Sequence, residues 1–305
     1  MINKNKYLHI NSANIIAFVF AFVFILSLIL CYFYVSTSKN TKIESFNNLV
    51  LKFEKYQLDY NIIKNPSSKP TTSIIYNNGK EAIISGFEKL NNIKNWEIEI
   101  NGTLTATLGI SLEVTLNMKI RKQNNVFEHE IYLYNNSNPM FNSAQYGILK
   151  DGIVHECYSQ NLWLENNKIC SDVKNKPCQQ MSKDVYTSYR GNAPGELLYV
   201  INEKSVKNTS NFYIKKNLSN EISFYYTDFT LDPNLSTYKY ILFLKDKLHG
   251  GKNFNYNKIN ACAIFDSAGR VSCLEIFDNY TFVYPISFID TNFKVSSYYI
   301  AYFKY

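Results

Sequence analysis

Residues 110–121 alternate without a break: Ile110, Leu112, Val114, Leu116, Met118 and Ile120 are apolar, and every residue between them is polar or charged. A period of two puts these sets on opposite faces of a strand and is incompatible with a helical stripe. Twelve residues extend about 40 Å at strand rise, longer than the common strand. The sheet holding it must be large and curved. Just upstream, Trp96, Ile98 and Ile100 alternate with Glu97, Glu99 and Asn101 in the same manner. The chain has 25 Tyr and 21 Phe against 11 Gly and 7 Pro, a balance that suits half-buried sheet surfaces.

The remaining pattern is mixed. Strands are expected at 126–134, 145–149, 153–158, 162–164, 212–216, 221–228, 256–265, 270–277, 279–284 and 292–305. Helical signals occupy 79–93, 181–189, 193–204 and a stretch from Asp232–Pro233 to Leu248, where Asp and Pro suit the N-cap and first helical position. No repeat of fixed period is present.

Residues 15–35 form 21 consecutive positions without a charge, about 30 Å as a helix and enough to span a bilayer. The run ends in bulky residues with no small-x-small exit, so an uncleaved signal anchor is expected, and Leu30 before Cys31 does not fit a lipid-attachment motif. Ile43, Phe46, Leu49, Val50, Phe53, Tyr56 and Tyr60 then recur at helical steps, followed by the linker-like NPSSKPTT at 65–72. The expected organisation is a cytoplasmic tail (1–14), a transmembrane signal anchor (15–35), a juxtamembrane helix and linker (36–72) and an extracytoplasmic domain (73–305). The fold class is α+β: an N-terminal transmembrane helix followed by a large curved antiparallel β-sheet packed on a few helices.

Cysteine decides the orientation, because Lys4 and Lys6 before the span balance Lys39 and Lys42 after it. A hairpin folded symmetrically about Ser267 and Ala268 sets Cys262 opposite Cys273, within reach of a disulfide, and disulfides persist in oxidising compartments. Cys170 and Cys178 can close a small loop, although Cys157 can take either as partner. A metal site from His155, Cys157, Cys170 and Cys178 lacks the paired C-x-x-C knuckles of structural zinc. The net charge of +7 is spread through Asn-rich turns with no basic stripe, so no nucleic-acid partner is expected.

Hydrolase, zinc-protease and nucleotide signatures are absent. Glu128, His129 and Glu130 approximate a metal cluster in one dimension, but on a strand the histidine points away from both glutamates. His129 is expected to be satisfied within the sheet. No catalytic residue, cofactor or metal is assigned.

The passage from Phe87 to Trp96, the long strand 110–121, the segment YGILKDGIV at 146–154 and the late hairpin 264–276 together resemble the LolA and LppX group of envelope lipoprotein-handling domains. That resemblance implies a curved sheet over helices whose apolar concavity holds lipid or a lipidated partner, lined here by Leu112, Val114, Leu116 and Met118. The expected function is therefore a membrane-anchored extracytoplasmic binding protein. The alternative is a surface structural or protein-interaction module with a solid core and no small-molecule ligand, presenting an aromatic patch from Tyr298, Tyr299, Tyr302 and Phe303.

Overall fold

A computed structural model describes residues 76–305 except 109, 249, 287 and 288. Helix α1 (Gly79–Asn92) starts where Asn78 accepts the Glu81 amide at 2.9 Å, and Glu81 in turn accepts the Asn77 amide at 3.1 Å. These bonds satisfy donors that a helix start leaves stranded. Ala82, Ile83, Phe87 and Leu90 recur at one-, three- and four-residue steps and bury one side of α1.

A meander of β1 (Asn95–Leu108), β2 (Ile110–Gln123), β3 (Val126–Tyr134), β4 (Ser143–Lys150) and β5 (Ile153–Ser159) follows. The strands β6 (Leu162–Glu165) and β7 (Lys168–Ser171) form a separate ribbon, and β8 (Cys178–Ser182) returns to pair with β5. After α2 (Lys183–Arg190) the chain crosses to the far edge. There β9 (Val206–Lys216) and β10 (Ile222–Leu231) precede the helices α3 (Pro233–Ser236) and α4 (Tyr238–Leu248). The last strands, β11 (Lys252–Asp266), β12 (Val271–Ile286) and β13 (Ile289–Lys304), lead back to the middle. The 11-stranded sheet has the order β8-β5-β4-β3-β2-β1-β13-β12-β11-β10-β9. The two meanders join at its centre, where β1 pairs antiparallel with β13 and Ile98 faces Phe303.

One face of this sheet makes the main core. Ile98, Ile100, Leu116, Met118, Ile120, Ile131, Leu274, Ile276, Tyr299, Ala301 and Phe303 are buried there, together with residues of α1 and α4. Each large apolar side chain so buried contributes about 1.5–3 kcal/mol. The void under Ile100, Leu274 and Tyr299 measures ≈ 30 Å³, room for about one water. The concavity is filled by the protein's own side chains.

A polar group sits inside this core. Asp278 is fully buried, paired across strands with Ser297, and its carboxylate accepts from the Ser297 and Tyr199 hydroxyls. Tyr240 and Tyr299 share a hydrogen bond beside it, and Tyr199, Tyr240, Tyr256, Tyr280 and Tyr299 form a connected cluster of mostly tilted and edge-on ring contacts, neighbouring centroids 4.5–6.3 Å apart. Burial pushes the Asp278 carboxyl up to about 7, against the opposing effect of its two hydroxyl donors.

Several expectations are corrected. Among the described residues no helix is long and apolar enough to cross a membrane; α1 has 14 residues and α4 has 11, short of the roughly 20 that a bilayer needs. The expected anchor at 15–35 lies outside the described residues, as do the tail and the 36–72 segment, so the fold is stated without a transmembrane helix and the membrane partnership and single-pass location are withdrawn. Cys262 and Cys273 are thiols and do not bond to each other. Two one-residue shifts are the reason: the turn closes Asp266 on Arg270, centred on Ala268, and a bulge at Ser272 then pairs Phe265 with Val271 but Ile264 with Cys273, so Cys262 faces Glu275. The orientation argument that rested on this pair falls with it.

The disulfide that forms joins Cys157 to Cys178, which face each other directly across β5 and β8. Cys170 is left as a thiol on the ribbon. Residues 193–204 are not helical, because Pro194 and Gly195 turn the chain so that Leu197, Leu198 and Tyr199 run beneath the sheet. The expected aromatic patch does not form among the described residues: Tyr299, Tyr302 and Phe303 are buried and Tyr298 is half-buried, while Trp163 and Leu164 on the ribbon are exposed.

Two outcomes follow. Replacing Cys157 and Cys178 by serine lowers unfolding free energy by about 3 kcal/mol, as expected for a loop of this length, measured by urea titration against the disulfide-bonded native chain. Because the folded Asp278 carboxyl titrates near 7 and the unfolded one near 3.8, the folded state binds the extra proton, and its stabilising contribution fades as pH rises from about 4 to about 7. Urea titrations across that range show this decline in the native chain and lose it in Asp278→Asn.

Candidate functional site

Chemistry-bearing side chains converge at two places. The first is a buried polar network where β3, β4 and β5 meet α2 and α4. Alternation on β3 turns His129 inward with Ile131, and His129 is 1 % exposed. Gly147 on β4 faces it, where a Cβ would stand 2.5 Å from His129 Nε2; glycine makes the room. Tyr186 of α2 has its hydroxyl 3.2 Å from that nitrogen, while Gln145 Nε2 donates to Glu156 at 2.5 Å and to Tyr186 at 2.6 Å.

Arg190 closes the network by donating from Nε and NH2 to Glu156 at 3.0 and 2.8 Å and from NH1 to Asp246. Lys247 donates to Gln145 Oε1 at 2.6 Å and lies 3.4 Å from Asp246. Two carboxylates thus balance two cations. Burial, reinforced by Lys247 and Arg190, drives the His129 imidazole down to about 3, so it is neutral at physiological pH. Burial also lowers the Lys247 ammonium and raises the Tyr186 phenol. The imidazole is neutral, its Nε2 is taken by Tyr186, and none of these seven groups lines the surface cleft. The network is a brace that fastens α2 and α4 to the sheet.

The second place is a surface cleft of ≈ 470 Å³ at the end of the sheet. Its walls are Phe87 and Leu90 of α1, Trp96 of β1, Phe127 of β3, Leu149 of β4 and Leu197 of the 191–205 crossing. The crossing tightens in a turn from Ala193 to Glu196, where the amide of Glu196 donates to Ala193 at 3.1 Å. Gly195 in this turn has φ +91, and a Cβ there would lie 2.4 Å from the Phe127 ring. Only glycine permits the approach.

Three lysines and one glutamate border these apolar walls. Lys239 donates to Glu196 at 2.5 Å, and Lys183 lies 3.9 Å from the same carboxylate. Lys122 donates to the Asn91 carbonyl at 3.0 Å, at the negative end of α1, and stands over the Phe127 ring. Trp96 Nε1 is buried with no hydrogen-bond partner among the described residues. The cleft therefore offers apolar walls, one unsatisfied N–H donor and an excess of positive charge.

The residues singled out by the lipid reading are elsewhere. Leu116 and Met118 are buried in the main core, Leu112 and Val114 are half-buried on the same strand, and none of the four lines the cleft. Of the four residues weighed for metal, Cys157 and Cys178 are bonded to each other and His155 Nδ1 pairs with Gln180 at 3.2 Å. No group of three or more His, Cys, Asp or Glu is placed to hold a metal among the described residues. Sequence reading missed the cleft because its parts come from six separate stretches. The one local hint was Pro194–Gly195, a turn signal inside an apparently helical run.

No family model matches the chain, and no curated protein does. Among solved structures, the ywiB protein from Bacillus subtilis is similar over 68 % of this chain and 92 % of its own, at 8 % identity and TM-score 0.18. A DUF1329 family protein from Desulfovibrio piger ATCC 29098 is similar over 71 % of this chain and 86 % of its own, at 10 % identity and TM-score 0.21. Likenesses at these scores carry no argument. The resemblance to the LolA and LppX group has no support in any of these comparisons and is withdrawn, and the lipid or lipoprotein partner goes with it, since the concavity it required is filled.

The brace makes its own prediction. Glu156→Gln leaves the quarter-exposed Arg190 guanidinium with Asp246 as its carboxylate partner, so the cost falls below the about 3–5 kcal/mol of breaking a fully buried pair. Urea unfolding of the variant shows that loss, whereas a replacement at the exposed Glu165 shifts the midpoint negligibly.

Proposed function

We propose that this domain is a protein-interaction module, a solid-cored and disulfide-stapled sheet that takes an acidic segment of a partner protein into the cleft beside Trp96. The observation that carries the reading is the pairing of apolar walls with a rim of Lys122, Lys183 and Lys239 against the single Glu196. Apolar walls receive one anchoring side chain, and a cationic rim selects and steers an acidic neighbour sequence. A partner carbonyl or carboxylate reaching Trp96 Nε1 would relieve a buried donor whose lack of a bond costs about 1–3 kcal/mol. The role in this reading is one of binding, and the enclosed, 1 % exposed His129 lends it no accessible base.

The test uses tryptophan itself as reporter. Trp96 and Trp163 are the chain's 2 tryptophans, so Trp163→Phe leaves Trp96 as the sole emitter. Synthetic peptides carrying a Leu or Phe anchor flanked by Asp and Glu are titrated in, with Lys-flanked counterparts as controls. The acidic peptides give a saturable change in Trp96 emission that weakens with added salt and drops at least tenfold in affinity in Lys122→Glu with Lys183→Glu. Equal response to the basic peptides, or no response up to millimolar concentration, refutes the proposal.

A further inference from the structure

An open sheet has two edges, and each offers backbone N–H and C=O groups to any strand that can lie beside it. The edges here are β9 and β8. Strand β9 is guarded. It carries Lys207, Lys215 and Lys216, its register against β10 shifts at three points, and Asn211 within it takes the left-handed φ of 49. Charge and irregularity of this kind keep an edge from serving as a template. Strand β8 has neither. Cys178, Gln179, Gln180, Met181 and Ser182 are uncharged, all but Met181 are exposed, and their register against β5 is unbroken.

The β5 ladder fixes which groups of β8 point outward. The Cα atoms of Cys157 and Cys178 are 4.2 Å apart, the spacing of a non-hydrogen-bonded pair, and the Lys183 amide donates to the Gly152 carbonyl at 2.9 Å in the same phase. Gln179 and Met181 therefore bond to β5. The N–H and C=O of Cys178 and Gln180 and the N–H of Ser182 face away from it, while the Ser182 carbonyl opens α2. Helix α2 packs on β5 and β8 and against α4. Its Tyr186 is turned to the sheet and its Arg190 to Asp246 of α4. At about 100° per residue, Val185 and Tyr189 fall on the flank opposite α4, beside the open edge. They are 48 % and 66 % exposed.

We propose that a second copy of this chain pairs with β8, antiparallel about a two-fold axis through Gln180. In that register Cys178 lies opposite Ser182 of the other copy and Gln180 opposite its own counterpart, so the outward groups meet. The Gln180 pair exchanges both backbone bonds, and each Ser182 N–H donates to the other copy's Cys178 carbonyl. An axis normal to the sheet keeps both α2 helices on one side. Resting over β5 and β8, each helix lies about one strand spacing, about 4.8 Å, from the axis. The two are then about 10 Å apart, a distance at which helices pack, with Val185 and Tyr189 of each copy between them. Charge agrees with a second copy as the occupant. The strand is neutral, so a chain of net charge +7 meets itself there without repulsion, and Lys176 of each copy comes level with Asp184 of the other. The Lys183 side chain is drawn aside toward Glu196, 3.9 Å away. The surface is separate from the cleft, which no residue of β8 lines.

Sedimentation velocity of the full-length chain from about 1 to about 300 µM tests this. The native chain shows a reversible monomer–dimer equilibrium. Gln180→Pro removes an outward N–H and leaves the β5 ladder whole; it and Tyr189→Asp each weaken dimerisation at least tenfold. Mild oxidation then reads the register in a Cys170→Ser background. Q180C chains link to one another through that position, because a bonded pair has Cα atoms about 5.5 Å apart. Q179C chains do not link, since each such position faces Met181 of the other copy. A chain that stays monomeric throughout, a dimer unchanged in both surface variants, or linkage through Q179C and not Q180C overturns the proposal. If Gln180→Pro fails to fold, Tyr189→Asp at its exposed helical position and the cross-link decide.

Discussion

Everything in this domain depends on the pairing of β1 with β13. These strands are separated by nearly the whole described chain, yet they lie side by side at the centre of the sheet, with 11 registered pairs from Glu97 with Lys304 to Thr107 with Lys294. One meander extends outward from β1 to the β8 edge, and the other arrives from the β9 edge to end on β13. Without the central ladder, the main core has no common floor: Ile98 and Ile100 come from one side, and Tyr299, Ala301 and Phe303 from the other. A pairing of such sequence separation carries a large loop-closure cost before its contacts can offset it.

Polar groups then fix how the layers dock. Asp278 and Ser297 form a registered pair under the sheet, and the Tyr199 hydroxyl joins them from the crossing segment, so one carboxyl holds two strands and a loop in register. On the other flank, Glu156 and Asp246 grip Arg190 from a strand and a helix. Buried ionic groups of this kind add little net stability over apolar packing, but they penalise every arrangement that separates them. The cleft beside Trp96 is a by-product of the same docking: the turn at Gly195 presses on Phe127 and leaves the end of the sheet uncovered.

Strands with strict alternation were legible from the sequence, and so was α1, because period is a local property. The inward side of β3 and the antiparallel α+β architecture followed from the same rule. What failed was non-local. A turn centred one half-step off the symmetric one, on Ala268, and a bulge at Ser272 each shifted the register by one residue and moved Cys273 away from Cys262. Residues 193–204 had helical spacing, but Leu197, Leu198 and Tyr199 are apolar because they plug the sheet, not because they line a helix. The brace joins positions from His129 to Lys247, and no spacing rule connects them. Leu116 and Met118 were placed on the buried face correctly, yet a buried face cannot reveal whether its counterpart is a ligand or the protein's own helices.

Native-state hydrogen exchange read by mass spectrometry tests the central claim most directly. If the β1–β13 ladder is the element on which the rest depends, amides in 97–107 and 294–304 exchange together, at the slowest rate in the domain and with the denaturant dependence of global unfolding. Exchange of either strand through a smaller opening, while β2 to β5 or β10 to β12 remain protected, would contradict it.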